Sequence, residues 1–321
     1  MRAAYYERTG LARDVLTVGD VPAPEVKAGE VRVRVAWSGV NPSDVKSRRG
    51  LVNSKLPFPR IVPHSDGAGT IDAVGSGVDA GRVGERVWVW NGAWQRPFGT
   101  AAEWIVVPSA QAVRLPDGTD LAAGACLGIP ALTAYHAVMM DGGVAGKDVL
   151  IAGGAGAVGH YAIQFAKHAG AKSVTSTVSS PEKAALAREA GADLVVDYKR
   201  EDVAAAVKGV DRVIEVDLAA NIALDLGVLR PEGDIVVYGS GQREIPVPFG
   251  PSILKNIRYR FFIVYNLNAA DRASAIHGVT ELLAAGKLQH NIAMRLPLEQ
   301  IVEAHELVES GKATGNVVVS L

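Results

Sequence analysis

Three glycines at GxGxxG spacing, Gly154, Gly156 and Gly159, lie inside the run DVLIAGGAGAVGHYAIQFAKHAG, residues 148–170. A short apolar strand enters this turn and a helix leaves it. The pattern suits a dinucleotide. Gly154 allows the tight turn, Gly156 lets the backbone approach a pyrophosphate, and Gly159 lets the helix pack closely on the strand. The helix start, with Ala157 and Val158 after Gly156, offers free N–H groups and the positive end of its dipole to the phosphates. An ordinary tight turn in an α/β domain is the alternative use of the same glycines.

The next strand, KSVTSTV (172–178), distinguishes one dinucleotide from the other. A domain that prefers NAD usually ends this strand with Asp or Glu, about 20 residues past the first glycine, to hold the ribose 2'-hydroxyl. Here residues 176–180 read Ser-Thr-Val-Ser-Ser, and the first acid is Glu182. Small hydroxyls leave room for a 2'-phosphate and can donate to it. Ser179, Lys183, Tyr198 and Lys199 can converge on one phosphate, so NADPH is the expected cofactor. A solvated Lys183 on a helix surface is the competing reading.

These groups need two kinds of scaffold. Residues 1–120 are β-rich: EVRVRVAWSGV (30–40) alternates as a half-buried strand does, and GAGTIDAVGSGV, GERVWVW and TAAEWIVVP follow as closely spaced strands. From residue 121 strands alternate with helices, as in a doubly wound parallel sheet. In the helix SPEKAALAREAGA, Ser180 is the expected N-cap and Pro181 the first helical residue. The closing strand GNVVVSL (315–321) returns to the first pattern. The fold class is α/β. Residues 1–120 and 268–321 are expected to form one twisted β-rich domain, with 121–267 inserted as a Rossmann domain. The segment RYRFFIVYNL (258–267) places an apolar, aromatic strand near the last edge of the parallel sheet. Such an edge invites pairing, so a homo-oligomer is expected.

The composition excludes some classes. A length of 321 residues suits two domains, and 48% hydrophobic with 21% charged residues is an ordinary globular balance. A net charge of −1 does not support a broadly basic nucleic-acid surface. No apolar run is long enough to span a membrane and the N-terminus has no signal-like core, so a cytoplasmic location is expected. The single cysteine, Cys126, forbids an intrachain disulfide and reads as a small buried hydrophobe.

The order of segments resembles the medium-chain dehydrogenase/reductase superfamily, and within it the zinc-independent quinone oxidoreductases related to zeta-crystallin. The resemblance covers nearly the whole chain. It runs through SGVNPSDVKSRRG (38–50), PHSDGAGTIDAVGSGV (63–78), GIPALTAYHAV (128–138), the glycine turn, EAGADLVVDYKRED (189–202), DIVVYGS (234–240) and SGKATGNVVVSL (310–321). It implies a GroES-like catalytic domain beside the Rossmann domain, with substrate between them. It also implies NADPH, a quinone or activated enone as substrate, and a dimer or tetramer, with the dimer favoured. Gly239, Ser240 and Asn316 join the expected cofactor-binding set on the same ground.

Zinc is not expected. The first ligand position of the zinc alcohol dehydrogenases falls in SGVNPSD, which has no cysteine. Their GHE motif becomes His64-Ser65-Asp66, so Ser65 stands where the ligand histidine would, and the third position falls at Ile129. One thiol and scattered histidines make a poor tetrahedral set. His64 reads as a structural or cleft-lining residue.

Hydride transfer to an electron-poor quinone or enone needs no Lewis acid if donors stabilise the charge developing on oxygen. Asn41 is the first candidate, either as that donor or as an orienter of the cofactor. Thr133 is the second, because the resemblance places its segment near the nicotinamide. Asp44 is expected to orient water or a neighbouring side chain. Asn41 as a turn cap and Thr133 as a helix cap are the alternatives. Lys46, Arg48 and Arg49 are either a basic rim for a polar acceptor or solvated loop charges. Trp88, Trp90 and Trp94 line a planar pocket or pack in the core. Two other functions are compatible with the same residues. One is a 2-alkenal or enoyl reductase saturating a conjugated carbon–carbon bond. The other is a non-catalytic NADPH-binding structural or RNA-binding protein, for which aromatic–basic motifs are lacking.

Overall fold

The computed structural model describes residues 1–207 and 209–321. The chain divides into two compact units, Met1–Pro130 with Val279–Leu321, and Ala131–Gly278.

The first unit holds the strands β1 (Arg2–Tyr5), β2 (Thr17–Asp20), β3 (Glu30–Val40), β4 (Asp66–Val74), β5 (Arg86–Val89), β6 (Trp104–Pro108) and β7 (Ala112–Arg114). Alternation makes β3 its central strand. Val31, Val33 and Val35 turn inward to a core with Ile71, Val87, Val89, Ile105 and Val107. Between them Arg32 faces outward, where its guanidinium meets Asp72 at 2.8 Å. Trp88 is fully buried, so this ring is core.

The second unit holds β8 (Asp148–Ala152), β9 (Ser173–Val178), β10 (Leu194–Asp197), β11 (Val210–Glu215), β12 (Leu229–Val237) and β13 (Arg258–Phe261). They form one parallel sheet in the order β10-β9-β8-β11-β12-β13. That is the doubly wound order, and its strand order reverses between β8 and β11, where ligands bind in such sheets. Val149, Leu150, Ile151, Val213, Ile214, Ile235 and Val236 are all buried, as continuous apolar runs must be when helices cover both faces. The edge strand β13 is only four residues long, because Val264–Asn266 turns into a 3₁₀ helix.

The chain then returns to the first unit with β14 (Ile292–Pro297) and β15 (Asn316–Ser320). Strand β15 runs antiparallel to β3, with Val317 opposite Val40, and parallel to β14. The seven-stranded sheet reads β14-β15-β3-β4-β5-β7, with β6 also on β3.

The unit boundaries fall later than the expected 120/121 and 267/268. Residues 121–130 pack on the β-rich sheet through contacts only glycine permits. A Cβ on Gly39 would overlap the Ala125 carbonyl, and one on Gly124 would come within 2.7 Å of the Ala68 methyl. At the other boundary Gly278, past the middle of helix Ala269–Ala284, lies against the Tyr135 ring, which ties the helix up to that point to residues 131–139.

Candidate active site

The glycine turn follows β8 at the switch point of the parallel sheet. Gly153 carries the positive φ of 68° that the tight turn requires, so this role belongs to Gly153 and not to Gly154. Gly154 is instead a close-approach residue: a Cβ there would strike the Ser176 side chain on β9. Gly156 is the N-cap of helix Ala157–His168, in extended conformation. Gly159 packs on the Gly153 carbonyl, with no room for a Cβ. The result is a turn bare of side chains, with Ala157 and Val158 opening a twelve-residue helix. That shape fits a pyrophosphate.

The tips of the neighbouring strands meet beside it. Ser180 caps helix Pro181–Glu189 by accepting the Lys183 N–H at 3.3 Å. The Lys183 ammonium donates to Ser179 Oγ at 3.1 Å. Tyr198, just past β10, is held next to β9 by its N–H to the Val178 carbonyl, and its side chain is exposed. Ser179, Lys183 and Tyr198 are thus brought to one end of the sheet, with no carboxylate at the tip of β9. Beyond β12, Gly239 packs on the Val216 carbonyl, and Ser240 Oγ accepts the Gln242 N–H at 3.0 Å. Thr133 is buried in the first turn of helix Leu132–Met139.

In the first unit, Asn41 ends the reach of β3 and caps helix Pro42–Arg49. Its N–H donates to Asp44 Oδ2 at 2.8 Å, and its side chain faces the Asp44 N–H in return, a capping box. The cap reading of Asn41 therefore holds, but its amide does more: Nδ2 donates to Asp66 Oδ2 at 2.7 Å. Asn41, Asp44 and Asp66 are all buried. Burial pushes the Asp44 carboxyl up to about 7, against the pull of the Asn41 and His64 N–H groups. Burial also drives Asp66 well above the usual carboxylate range, opposed by the Asn41 amide and reinforced by the Asp44 charge. Asn316 lies one position beyond the Val317–Val40 pair, and its Nδ2 is spent on the Asn291 carbonyl at 3.0 Å.

Sequence reasoning passes over Asp66 and a buried polar chain beneath it. Thr100 Oγ1 donates to the Asp66 carbonyl, Ser38 Oγ lies 2.7 Å from Thr100 Oγ1, and His64 Nδ1 lies 2.8 Å from Ser38 Oγ. His64 Nε2 lies 2.9 Å from His305 Nε2. A carbonyl only accepts, which orders the chain: Thr100 donates, Ser38 donates to Thr100, and His64 Nδ1–H donates to Ser38. Burial lowers the His64 pKa to about 3 and that of His305 well below normal, so both rings are neutral. His305 Nε2–H then donates to His64. His64 is structural, and its φ of 79° is held by this chain. No local sequence signal links His305 to His64 across 241 positions.

The basic rim is reduced. Arg48 is buried and bonds Glu309 at 2.7 Å, and Arg49 also reaches Glu309. Cys126 is a buried thiol whose Sγ donates to the Ala122 carbonyl, and burial raises its pKa.

The alcohol dehydrogenase GroES-like domain model matches residues 27–117, and the zinc-binding dehydrogenase model matches residues 157–284. Human quinone oxidoreductase is 31% identical over 312 residues, covering 94% of this chain and 92% of the human one. The chain belongs to the quinone oxidoreductase family of the medium-chain dehydrogenase/reductases. Two solved structures match this family member over the full length of both chains. One is a NAD-dependent alcohol dehydrogenase, with TM-score 0.91 and 28% identity. The other is a mycobacterial protein complexed with NADPH, with TM-score 0.87 and 27% identity. The second family model is named for zinc, but it covers none of His64, Ser65 or Asp66. Among the described residues no three His, Cys, Asp or Glu side chains are grouped to hold a metal ion.

Proposed function

We propose that this member of the quinone oxidoreductase family reduces a quinone or similarly activated conjugated carbonyl with NADPH, without a metal. The observation that carries the cofactor choice is the Lys183–Ser179 contact just past β9, a strand that ends without a carboxylate of its own, next to the bare glycine turn. An ammonium and fixed hydroxyls suit a 2'-phosphate, since charge-assisted hydrogen bonds are the stronger kind.

NADPH supplies a hydride. The chain's residues do the rest. Turn amides from Gly154 to Val158 hold the pyrophosphate, and Ser179, Lys183 and Tyr198 hold the 2'-phosphate. Gly239, Ser240 and Asn316 border the cofactor, and Thr133 serves at its nicotinamide end. Asn41 donates to the oxygen on which negative charge develops, or to the nicotinamide ribose. Asp44, with a pKa raised to about 7, can hold the proton that the reduced oxygen takes up at neutral pH.

The working form is a homodimer joined along the edge strand β13. Phe261 and Ile263 are exposed there, and β13 has no outer neighbour in the sheet among the described residues. No described helix is long and apolar enough to cross a membrane. A reducing cytoplasm suits the lone thiol Cys126, and a net charge of −1 gives nucleic acid no broad surface. The test is a panel of quinones and enones with NADPH and with NADH, before and after chelation. Hydroquinone formed with NADPH and undiminished by chelation is the expected result. A saturated carbon–carbon bond as the only product assigns the enone reductase activity instead. Activity lost on chelation and restored by zinc overturns the metal-free mechanism, and cofactor binding without any turnover overturns the enzyme.

A further inference from the structure

Asp66, the first residue of β4, is fully buried, and its Oδ2 takes one hydrogen of the Asn41 amide at 2.7 Å. A side-chain amide has two N–H donors and one carbonyl acceptor. The capping box engages the Asn41 side chain with the Asp44 backbone, and Asp66 engages Nδ2. Two fixed contacts in one plane prevent the amide from flipping. The Asn41 side chain also hydrogen-bonds the Asp44 carboxyl, so the amide is held between two buried acids.

Stability alone gives no reason for a carboxyl at this place. Asp66 Oδ1 has no hydrogen bond of its own; the nearby Ile129 N–H only tempers the rise in the carboxyl's pKa. Such a buried oxygen costs folding free energy. The chain nonetheless leaves space for it. Gly128 passes so close that a Cβ would stand 2.5 Å from Asp66 Oδ1. The backbone of Asp66 is fixed as well, because its carbonyl is the terminus of the Ser38–Thr100 chain backed by His64 and His305. A group that is costly, accommodated and rigidly held, with one side-chain partner, is suited to orienting that partner.

We propose that Asp66 is a positioning residue for the reduction: it accepts one hydrogen of the Asn41 amide and so fixes the orientation in which that amide meets the reacting oxygen or the nicotinamide ribose. This rests on the reading that Asn41 meets the reacting groups. Asp66 itself touches neither substrate nor cofactor. Its influence is therefore on turnover, and it reaches turnover only through Asn41.

The experiment is a double-mutant cycle of D66A and N41A, with D66N alongside, assayed with 1,4-benzoquinone and NADPH. NADPH affinity is read separately by fluorescence titration. D66A lowers kcat about tenfold, since a small misplacement of a reacting group costs that much or more. The KM for quinone and the NADPH affinity stay within about twofold of wild type, as a residue remote from both ligands requires. D66N recovers most of kcat, because its carbonyl oxygen still accepts from Asn41. In the N41A background D66A causes no further loss. Folded D66A with wild-type kcat overturns the proposal, and so do D66A and N41A losses that multiply. Wild-type kcat in N41A overturns the Asn41 reading itself, and the proposal with it. If D66A does not fold, D66S replaces it in the cycle, since a serine is too short to reach Nδ2.

Discussion

Lys183 Nζ donates to Ser179 Oγ across the first turn of helix Pro181–Glu189, at 3.1 Å. The contact keeps an ammonium at the tip of β9, where NAD-preferring domains place a carboxylate. K183A should weaken NADPH by about 10- to 100-fold, the worth of a hydrogen bond to a charged group. NADH should change less than about threefold, because it lacks the 2'-phosphate that the charge would meet. Equal losses for both cofactors, measured by fluorescence titration, would count against the assignment.

Arg212 and Asp234 form an ion pair inside the second unit. Arg212 Nε meets Asp234 Oδ2 at 2.6 Å, with side-chain exposures of 1% and 4%. Arg212 Nη1 also donates to the Val138 and Met140 carbonyls, satisfying the end of helix Leu132–Met139. R212A leaves a buried carboxylate and open carbonyls together, so unfolding free energy should drop by about 3–5 kcal/mol. R212K should recover little, because an ammonium cannot reproduce the planar fork. Arg258, 3.7 Å from Asp234 Oδ1, is the carboxylate's other cationic neighbour, and urea denaturation showing less than about 1 kcal/mol of loss in R212A would mean that it takes over the pairing.

The legible parts of this chain are those with local rules. Alternation in residues 30–40 marks β3, short apolar runs mark β8, β10 and the end of β12, and Ser180-Pro181 marks a helix start. The illegible parts depend on distance. Nothing near Asn41 in sequence says that its amide meets Asp66, 25 positions away, or that His305 backs His64. Glycine roles also shift by one residue: the pattern names Gly154, while the backbone needs its positive φ at Gly153. The helical appearance of residues 121–130 hides their membership in the β-rich unit. That membership is set by close backbone approach at Gly39, Gly124 and Gly128, which periodicity cannot report.

Glu215 and Asp225 are a buried pair of acids in the second unit. Burial raises both carboxyls, and the Glu215 charge and its hydrogen bond raise Asp225 further. The sign follows from proton counting. The folded chain keeps a proton that the unfolded chain releases near the ordinary value of 3.8. Stability is therefore fullest at and below that value. It declines as pH rises toward the raised one and stays low above it. D225N removes the ionisation. Its Tm should exceed that of wild type by on the order of 5 °C at pH 8, and by much less at pH 5. Equal gains at pH 5 and pH 8 would show that Asp225 is already ionised in the folded protein across this range, against the raised carboxyl.

The last prediction separates what Asn41 does for the fold from what it does for the reaction. N41D places a carboxylate against Asp66, so a large defect in that variant does not by itself reveal a nearby substrate oxygen. The geometry offers a cleaner comparison in N41D/D66N. There the donor and acceptor trade places: the amide now at position 66 donates, the carboxylate now at position 41 accepts, and the 2.7 Å contact is preserved with its polarity reversed. An N-cap also tolerates aspartate as well as asparagine. Tm should thus fall in N41D and return to within about 3 °C of wild type in the double variant, a free-energy difference of about 1 kcal/mol. Turnover should not return. Position 41 would then present an acceptor where the developing charge needs a donor, and one lost donor of this kind costs up to about 100-fold or more in kcat. Restored Tm with kcat still down by at least about tenfold supports direct donation by Asn41. Restored kcat together with restored Tm would make Asn41 a residue of the loop alone, and the oxyanion role would have to be given up.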